Sequence, residues 1–376
     1  MAVSIEPLRP HDRSHRVALS RLAFGRTDPT DPNGPQPPDE HVVAGYLDDR
    51  LCAAATFHED AQWVCGRRVP MGGVAGVAVA PHVRGHGFAR AVLRAGMHFM
   101  RRRGDAISSL YPTTGTLYRS LGWGYSGIYT WHRVDLAELP AASAASGYDF
   151  VPSGFAEAGG LYNAIAPTHN GWLARSAMHW IAAEYEHQHA TAAHEAYLVR
   201  RHNQVVGFLA YEAVRDGQSR FDLSAHQLLA LDGDAYRAIF GFIQNMGSMA
   251  HALRTRVPDY VLYATLDHGH RAQRVHSHPF MTRIIDARSA IADRGYSPHL
   301  DTEVHLDLHD PELENNDGPF VLRVRDGVGA LEPGGSAEVS VHISDLATAY
   351  LGGPCTIAPL VGIFAAPTAP SMVDFF

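Results

Sequence analysis

Between Val77 and Ala89 the chain reads VAVAPHVRGHGFA, an apolar run that stops at Pro81 and gives way to an arginine and two glycines. The run predicts a strand ending at Pro81, and the residues after it predict a helix from about Gly87. A turn of this kind aims several backbone N–H groups and the positive end of a helix at one small volume, which is an anion site suited to a pyrophosphate. Gly85 and Gly87 let phosphate approach the backbone, and Arg84 adds charge-assisted hydrogen bonds. By itself a Gly-rich turn also serves as an ordinary tight connection. A second chemical feature is the final SMVDFF. Two adjacent phenylalanines there either dock a last strand into a core or carry the α-carboxylate of Phe376 to a chosen interior position.

The elements that must position these residues are mixed α and β. VVAGYLDDRLCAAATFH reads as two strands around Asp48-Asp49, and WVCGRRVPMGGVAGVAVAP as a pair turning at Gly66. From Ala89, Val92, Leu93, Gly96, Met97 and Met100 share one helix face, with Gly104 as the stop. AISSLY is a short strand, and Thr114 or Thr116 opens a short helix that contains Tyr118 and ends by Gly122. The Pro- and Asp-rich GRTDPTDPNGPQPPDEH reads as a loop, and DLAELPAASAASGYD as a linker. Beyond it, a hairpin at Asn203-Gln204 and the strand-turn-helix FDLSAHQLLALDGDAYRAIFGFIQNM repeat the order of the first domain without clear identity. Three segments are expected: 1–135, 136–279 and 280–376.

Composition narrows the chemistry. All 31 basic residues are arginine, so lysine Schiff bases and phosphate-binding Walker lysines are excluded. A net charge of -8 disfavours nucleic acid and favours a cationic substrate. No run of about 18 apolar residues is long enough to span a bilayer, and the charged, Pro-containing start does not resemble a secretory signal, so the expectation is a cytoplasmic protein without a membrane partner. Cys52, Cys65 and Cys355 make no disulfide framework and no common zinc spacing, so reduced thiols are expected. The clusters EYEHQHATAAH and DHGHRAQRVHSH read as polar or titrating surface rather than a metal site, and no metal is expected. The run Arg101–Arg103 reads as a solvated helix end or as a coenzyme phosphate contact.

Arg84, Gly87 and Ala89, following V-x-V-x-P, fit the R/Q-x-x-G-x-G/A signature of the GNAT N-acetyltransferases. More narrowly, the chain resembles the enhanced intracellular survival (Eis) family over essentially its whole length. VPMGGVAGVAVAPHVRGHGFARAVL, SLYPTTGTLYRSLGWGYSG, MTRIIDARSAIADRGY and Phe376 carry the resemblance. It implies tandem GNAT folds, the first active and the second degenerate, followed by an α+β domain like a sterol carrier protein. It also implies acetyl-CoA as co-substrate, a small-molecule primary amine such as an aminoglycoside or polyamine as acceptor, direct transfer, and self-association as a homohexamer. Carried across, Val77, Ala78 and Val79 hold the pantetheine arm; Arg84, Gly85, His86, Gly87, Phe88 and Ala89 form the pyrophosphate loop; and Thr113 is a further contact. Tyr118 matches the general acid and the carboxylate of Phe376 the general base. A phenol with a pKa near 10 keeps its proton at pH 7 and can give it to a departing thiolate, although Tyr118 also reads as a core aromatic. The family often has an acidic residue beside the terminal Phe, whereas here position 375 is Phe and the nearest acid is Asp374. In the second repeat LDGDAYRA replaces the loop, and Asp232 and Asp234 would repel a pyrophosphate. The sterol-carrier likeness leaves a different reading, an acyl-CoA-sensing protein that holds an apolar ligand.

Overall fold

Two tight turns with left-handed backbone set up the N-terminal sheet: Asp48 and Asp49 lie at φ 46° and 62°, Cys65 and Gly66 at 49° and 81°. Positive φ at both central residues matches the twist of antiparallel strands, so each turn closes a hairpin. The structure, a computed structural model, describes residues 3–25, 35, 38–189, 194–215, 221–353 and 355–374. Most of the Pro-rich stretch after Gly25 lies outside them, as do Phe375 and Phe376.

In chain order, β1 (Val3–Pro7), α1 (Arg13–Phe24), β2 (Val42–Leu47), β3 (Arg50–Val64) and β4 (Arg67–Val79) precede α2 (Phe88–Arg103). Then come β5 (Ile107–Leu110), α3 (Gly115–Arg119) and β6 (Gly124–Asp135). The face expected for α2 is the one it buries, and Gly96 is required there because a Cβ would meet the Phe57 ring at 1.9 Å. Gly104 at φ 95° ends the helix, its N–H bonded to the Met100 and Arg101 carbonyls.

The middle of the chain holds β7 (Tyr148–Pro152), α4 (Gly159–Ile165), α5 (Ala177–His189), β8 (His194–Arg201), β9 (Gln204–Val214) and β10 (Phe221–Ala230). It continues with α6 (Gly233–Gln244), β11 (Ala250–Thr255), α7 (Asp259–Thr265) and β12 (Gln273–Ile284). The β8–β9 turn falls on His202-Asn203, one residue before the expected Asn203-Gln204, because both of these residues take positive φ. The stretch expected as a linker is ordered. Leu136 and Leu139 are buried, and the small residues at Ala141 and Ala144 admit Gly241 of α6, whose added Cβ would lie 2.8 Å from the Ala141 carbonyl. The last elements are α8 (Ala287–Asp293), β13 (Thr302–His309), β14 (Gly318–Arg325), β15 (Val328–Pro333), β16 (Val339–His342) and α9 (Ile343–Tyr350).

The chain divides into two compact units, one of Met1–Gly127, Pro167–Ala174 and Pro279–Phe376, the other of Ile128–Ala166 and Arg175–His278. In the first, strands run β1-β2-β3-β4-β5 with the end of β12 beside β5, and β4 pairs in parallel with β5 after the α2 crossover. In the second the order is β6-β11-β10-β9-β8-β7, and β10, α6 and parallel β11 repeat the β4–α2–β5 plan. Within the first unit, one core joins Val69, Met71 and Ile107 to Phe280, Leu306, Leu322, Ile343 and Tyr350, so N- and C-terminal segments share their apolar interior. No helix among the described residues is long and apolar enough to cross a membrane.

At the centre of that unit Arg283 and Asp310 form an ion pair of 2.6 Å with both side chains fully buried. Arg283 also donates to the Leu121 carbonyl at 2.9 Å and to its neighbour Ile284 at 2.8 Å. Asp310 accepts further from the Glu312 and Leu313 amides and from Asn316. Removing one partner of such a pair leaves a buried, uncompensated charge, which costs about 3–5 kcal/mol. Asp310→Ala is therefore expected to lower the urea midpoint of unfolding sharply. Asp301→Ala, which removes the exposed partner of Arg325, should cost no more than about 1 kcal/mol; equal shifts for the two variants would contradict this.

Candidate functional site

The site begins where β4 loses a neighbour. Its ladder with β5 covers only Met71–Gly73, while pairing with β3 runs on to Val79. A bulge sets Gly76 and Val77 opposite the single residue Ala55, and Gly76 at φ 61° accommodates it. Such a bulge bends a strand, here just past the point where β4 and β5 separate. The β5-facing edge of Val77–Val79 is thus left open.

The chain then makes a short turn at Pro81–Val83 and enters α2 through Gly85 (φ 79°) and Gly87 (φ 83°). No atom lies within 4 Å of a Cβ built on either glycine, so the space in front of the loop is clear. Gly87 is the N-cap residue and no side chain caps the helix, which leaves the first-turn amides directed outward. Arg84 donates to the Val79 carbonyl at 3.3 Å, folding its guanidinium back toward the open strand edge.

Tyr118 completes the arrangement from α3. Its carbonyl accepts from the Leu121 and Trp123 amides at 3.0 and 3.1 Å, and its ring packs edge-on against buried Trp123 at 6.1 Å. Burial pushes the phenol up to about 12, and its hydroxyl has no hydrogen-bond partner among the described residues. Leu121, whose amide holds Tyr118, receives the Arg283 hydrogen bond on its carbonyl. Gly122 passes this arginine at φ 91°, and a Cβ there would meet the guanidinium at 2.8 Å.

These pieces enclose a cleft of about 540 Å³. Of the expected site residues, Val77, Val79, Arg84, Gly85, Gly87, Phe88, Ala89, Thr113 and Tyr118 line it together. Ala78 and His86 do not: Ala78 is buried in the core behind β4, and the His86 ring is within 3.0 Å of the Arg84 carbonyl. Ala23 and Phe24 at the end of α1, together with Arg90 and Leu117, also line the cleft. Nothing local marks α1 as a wall, whereas Arg90 and Leu117 are direct neighbours of residues singled out by the motif. Phe376 lies outside the described residues; the tail is described to Asp374, whose carbonyl accepts from the Tyr111 hydroxyl at 2.7 Å. Ser371 bonds to the Asn170 carbonyl, and Met372, Val373 and Asp374 are buried. Of the arginine run, Arg103 pairs with Asp105 and donates to the Phe57 and His58 carbonyls, and Arg101 lies 3.6 Å from Asp286. No group of three or more His, Cys, Asp or Glu among the described residues could hold a metal ion.

Residues 4–126 and 171–284 each match the family model of the acetyltransferase (GNAT) domain, and residues 287–358 match that of the sterol carrier protein domain. The chain belongs to the GNAT acetyltransferases. Its fold is shared over 100% of both chains with a GCN5-related N-acetyltransferase from Anabaena variabilis ATCC 29413 (24% identity, TM-score 0.90) and with Eis1 from Mycobacterium abscessus (18%, 0.81). A GCN5-related N-acetyltransferase from Kribbella flavida is 26% identical with a TM-score of 0.82, covering 100% of this chain and 98% of that one. No protein of curated function is significantly similar in sequence. The order is thus Eis-like, two GNAT domains and then a sterol-carrier-like domain, and acetyl-CoA is the co-substrate of the GNAT class.

The acetyltransferase carries its own contrast. At the helix start corresponding to the α2 loop, Asp232 caps α6, accepting from the Ala235 amide at 2.8 Å and pairing with Arg201 at 2.8 Å. Burial would raise this carboxyl, but the amide and the guanidinium hold it below its ordinary value. The second repeat therefore fills its own anion position. In the acetyltransferase Tyr118 is the raised group, so its share of stability is complete below pH 10 and is lost as pH rises from 10 through about 12. Wild type should accordingly lose more stability than Tyr118→Phe between pH 10 and 11, read as urea midpoints; parallel losses would contradict the burial of the phenol.

Proposed function

We propose that this acetyltransferase binds acetyl-CoA in the first-repeat cleft and moves the acetyl group directly to a primary amine of a small cationic molecule, of aminoglycoside or polyamine type. The observation that carries the reading is the meeting, in one cleft, of an uncapped helix start, an open strand edge and a buried phenol with a free hydroxyl. The Gly85–Ala89 amides and the Arg84 guanidinium hold the pyrophosphate. The free edge of Val77–Val79 takes the pantetheine arm, Ala78 contributing backbone alone, and His86 likewise contributes its backbone. Thr113, also lining the cleft, is a further coenzyme contact. Acetyl-CoA supplies an activated thioester; Tyr118, protonated across the physiological range, gives its proton to the departing thiolate.

The acceptor amine must lose a proton, and the proposed base is the α-carboxylate of Phe376. Support comes from the anchoring of Asp374 at Tyr111, since two more residues extend the chain by at most about 7 Å. The net charge of -8 favours a cationic acceptor. A homohexamer and a cytoplasmic location are proposed on the family likeness and on the sequence respectively.

Free-thiol release from acetyl-CoA, measured against a panel of amines, tests the reading: release should depend on the amine. Tyr118→Phe should lower kcat by about 10²- to 10⁴-fold with the coenzyme Kd unchanged. One glycine added after Phe376 should also lower kcat at unchanged melting temperature. A Tyr118→Phe enzyme within twofold of wild type would remove the proton-donor role, and full activity of the extended chain would remove the carboxylate.

A further inference from the structure

Arg294 is fully buried, and among the described residues no carboxylate pairs with it. Its Nε donates to the adjacent Gly295 carbonyl at 3.2 Å, Nη1 has no partner, and Nη2 points at the Cys65 sulfur at 3.4 Å. The guanidinium is otherwise enclosed by rings, with the centroids of Tyr296, Phe364 and Tyr350 at 4.6, 4.8 and 5.3 Å. Ring faces attract a cation but do not neutralise it, and a buried charge without a counter-charge is unfavourable. Burial raises the phenols of Tyr296 and Tyr350 and keeps them protonated; the other acidic group in contact with Arg294 is the Cys65 thiol.

That contact is held from both sides. The Cys65 amide donates to Asn170 Oδ1 at 2.8 Å, and the Gly295 amide donates to the Val64 carbonyl at 3.1 Å. A Cβ on Gly295 would lie 2.1 Å from the Cys65 carbonyl, so the backbones are pressed together. Cys65 sits in the β3–β4 turn and is half-buried, its sulfur also 3.9 Å from the Ala365 carbonyl, whereas Cys52 is fully buried.

We infer that Cys65 is a reactive thiol and a site of reversible oxidation by peroxide, with Arg294 stabilising negative charge on its sulfur. The sulfur attacks one peroxide oxygen; the S–O bond forms as the O–O bond breaks, giving a sulfenic acid. The second oxygen leaves as hydroxide and takes up a proton to become water. Sulfur is oxidised and peroxide reduced, and two equivalents of a small thiol return the cysteine with release of a disulfide and water. This site is separate from the coenzyme cleft, which Cys65 does not line.

The test uses the wild-type full chain. Iodoacetamide labelling of Cys52, Cys65 and Cys355 at pH 7 is followed by peptide mass mapping, in native buffer and in urea. The Arg294 guanidinium, 3.4 Å from the sulfur, stabilises charge developing there, so Cys65 should react about tenfold faster native than unfolded. Cys52 should react more slowly native than unfolded. After brief peroxide treatment a dimedone probe should label Cys65 first, and dithiothreitol given before the probe should abolish the label. A native Cys65 rate at or below its rate in urea overturns the proposal, whatever the variants do. Arg294→Met, used only where its circular dichroism matches wild type, should bring the Cys65 rate down to or below the unfolded value; an unchanged rate also overturns it.

Discussion

The buried Arg283–Asp310 pair is the constraint on which the first unit turns. Taking two charges out of water is unfavourable by several kcal/mol each, and the structure offsets this by saturating both groups with hydrogen bonds. One of those bonds falls on the Leu121 carbonyl, and Leu121 in turn bonds to the carbonyl of Tyr118. The phenol that faces the cleft is therefore fixed by residues from the far end of the chain. Asp310, in the sterol-carrier-like segment, pairs with Arg283, so that segment takes part in holding Tyr118.

The cleft itself follows from incomplete secondary structure. A strand edge without its partner and a helix start without its cap are both unsatisfied, and unsatisfied backbone groups bind ligands. Where the second repeat supplies Asp232 as a cap, the Ala235 amide at its helix start is already satisfied. One fold thus appears twice, with its helix start capped by Asp232 in one copy and uncapped in the other.

Local features were legible in sequence. The turn at Asp48-Asp49, the α2 face from Val92 to Met100, the Gly104 stop and the Gly85–Gly87 loop all depend on residues close in the chain, and periodicity and turn chemistry reveal them. Features made by distant residues were not legible. Nothing in RIIDARSA shows that Arg283 is buried against Asp310, nor that Phe24 reaches the cleft wall. The small residues read as a linker at 136–150 are small because α6 lies against them, a packing reason that composition alone confuses with flexibility.

Arg283, held by Asp310, bears on Tyr118 through the Leu121 carbonyl. The most direct measurement is kcat, with coenzyme Kd determined in parallel, for the apolar double variant Arg283→Met with Asp310→Leu. Replacing both charges together keeps the core filled and leaves no orphaned ion, so the protein should fold while the Leu121 carbonyl loses its anchor. A donor misplaced by about 1 Å costs on the order of 10²-fold in rate, so kcat should fall by at least roughly tenfold while Kd stays within about twofold. A folded double variant with wild-type kcat would contradict the claim.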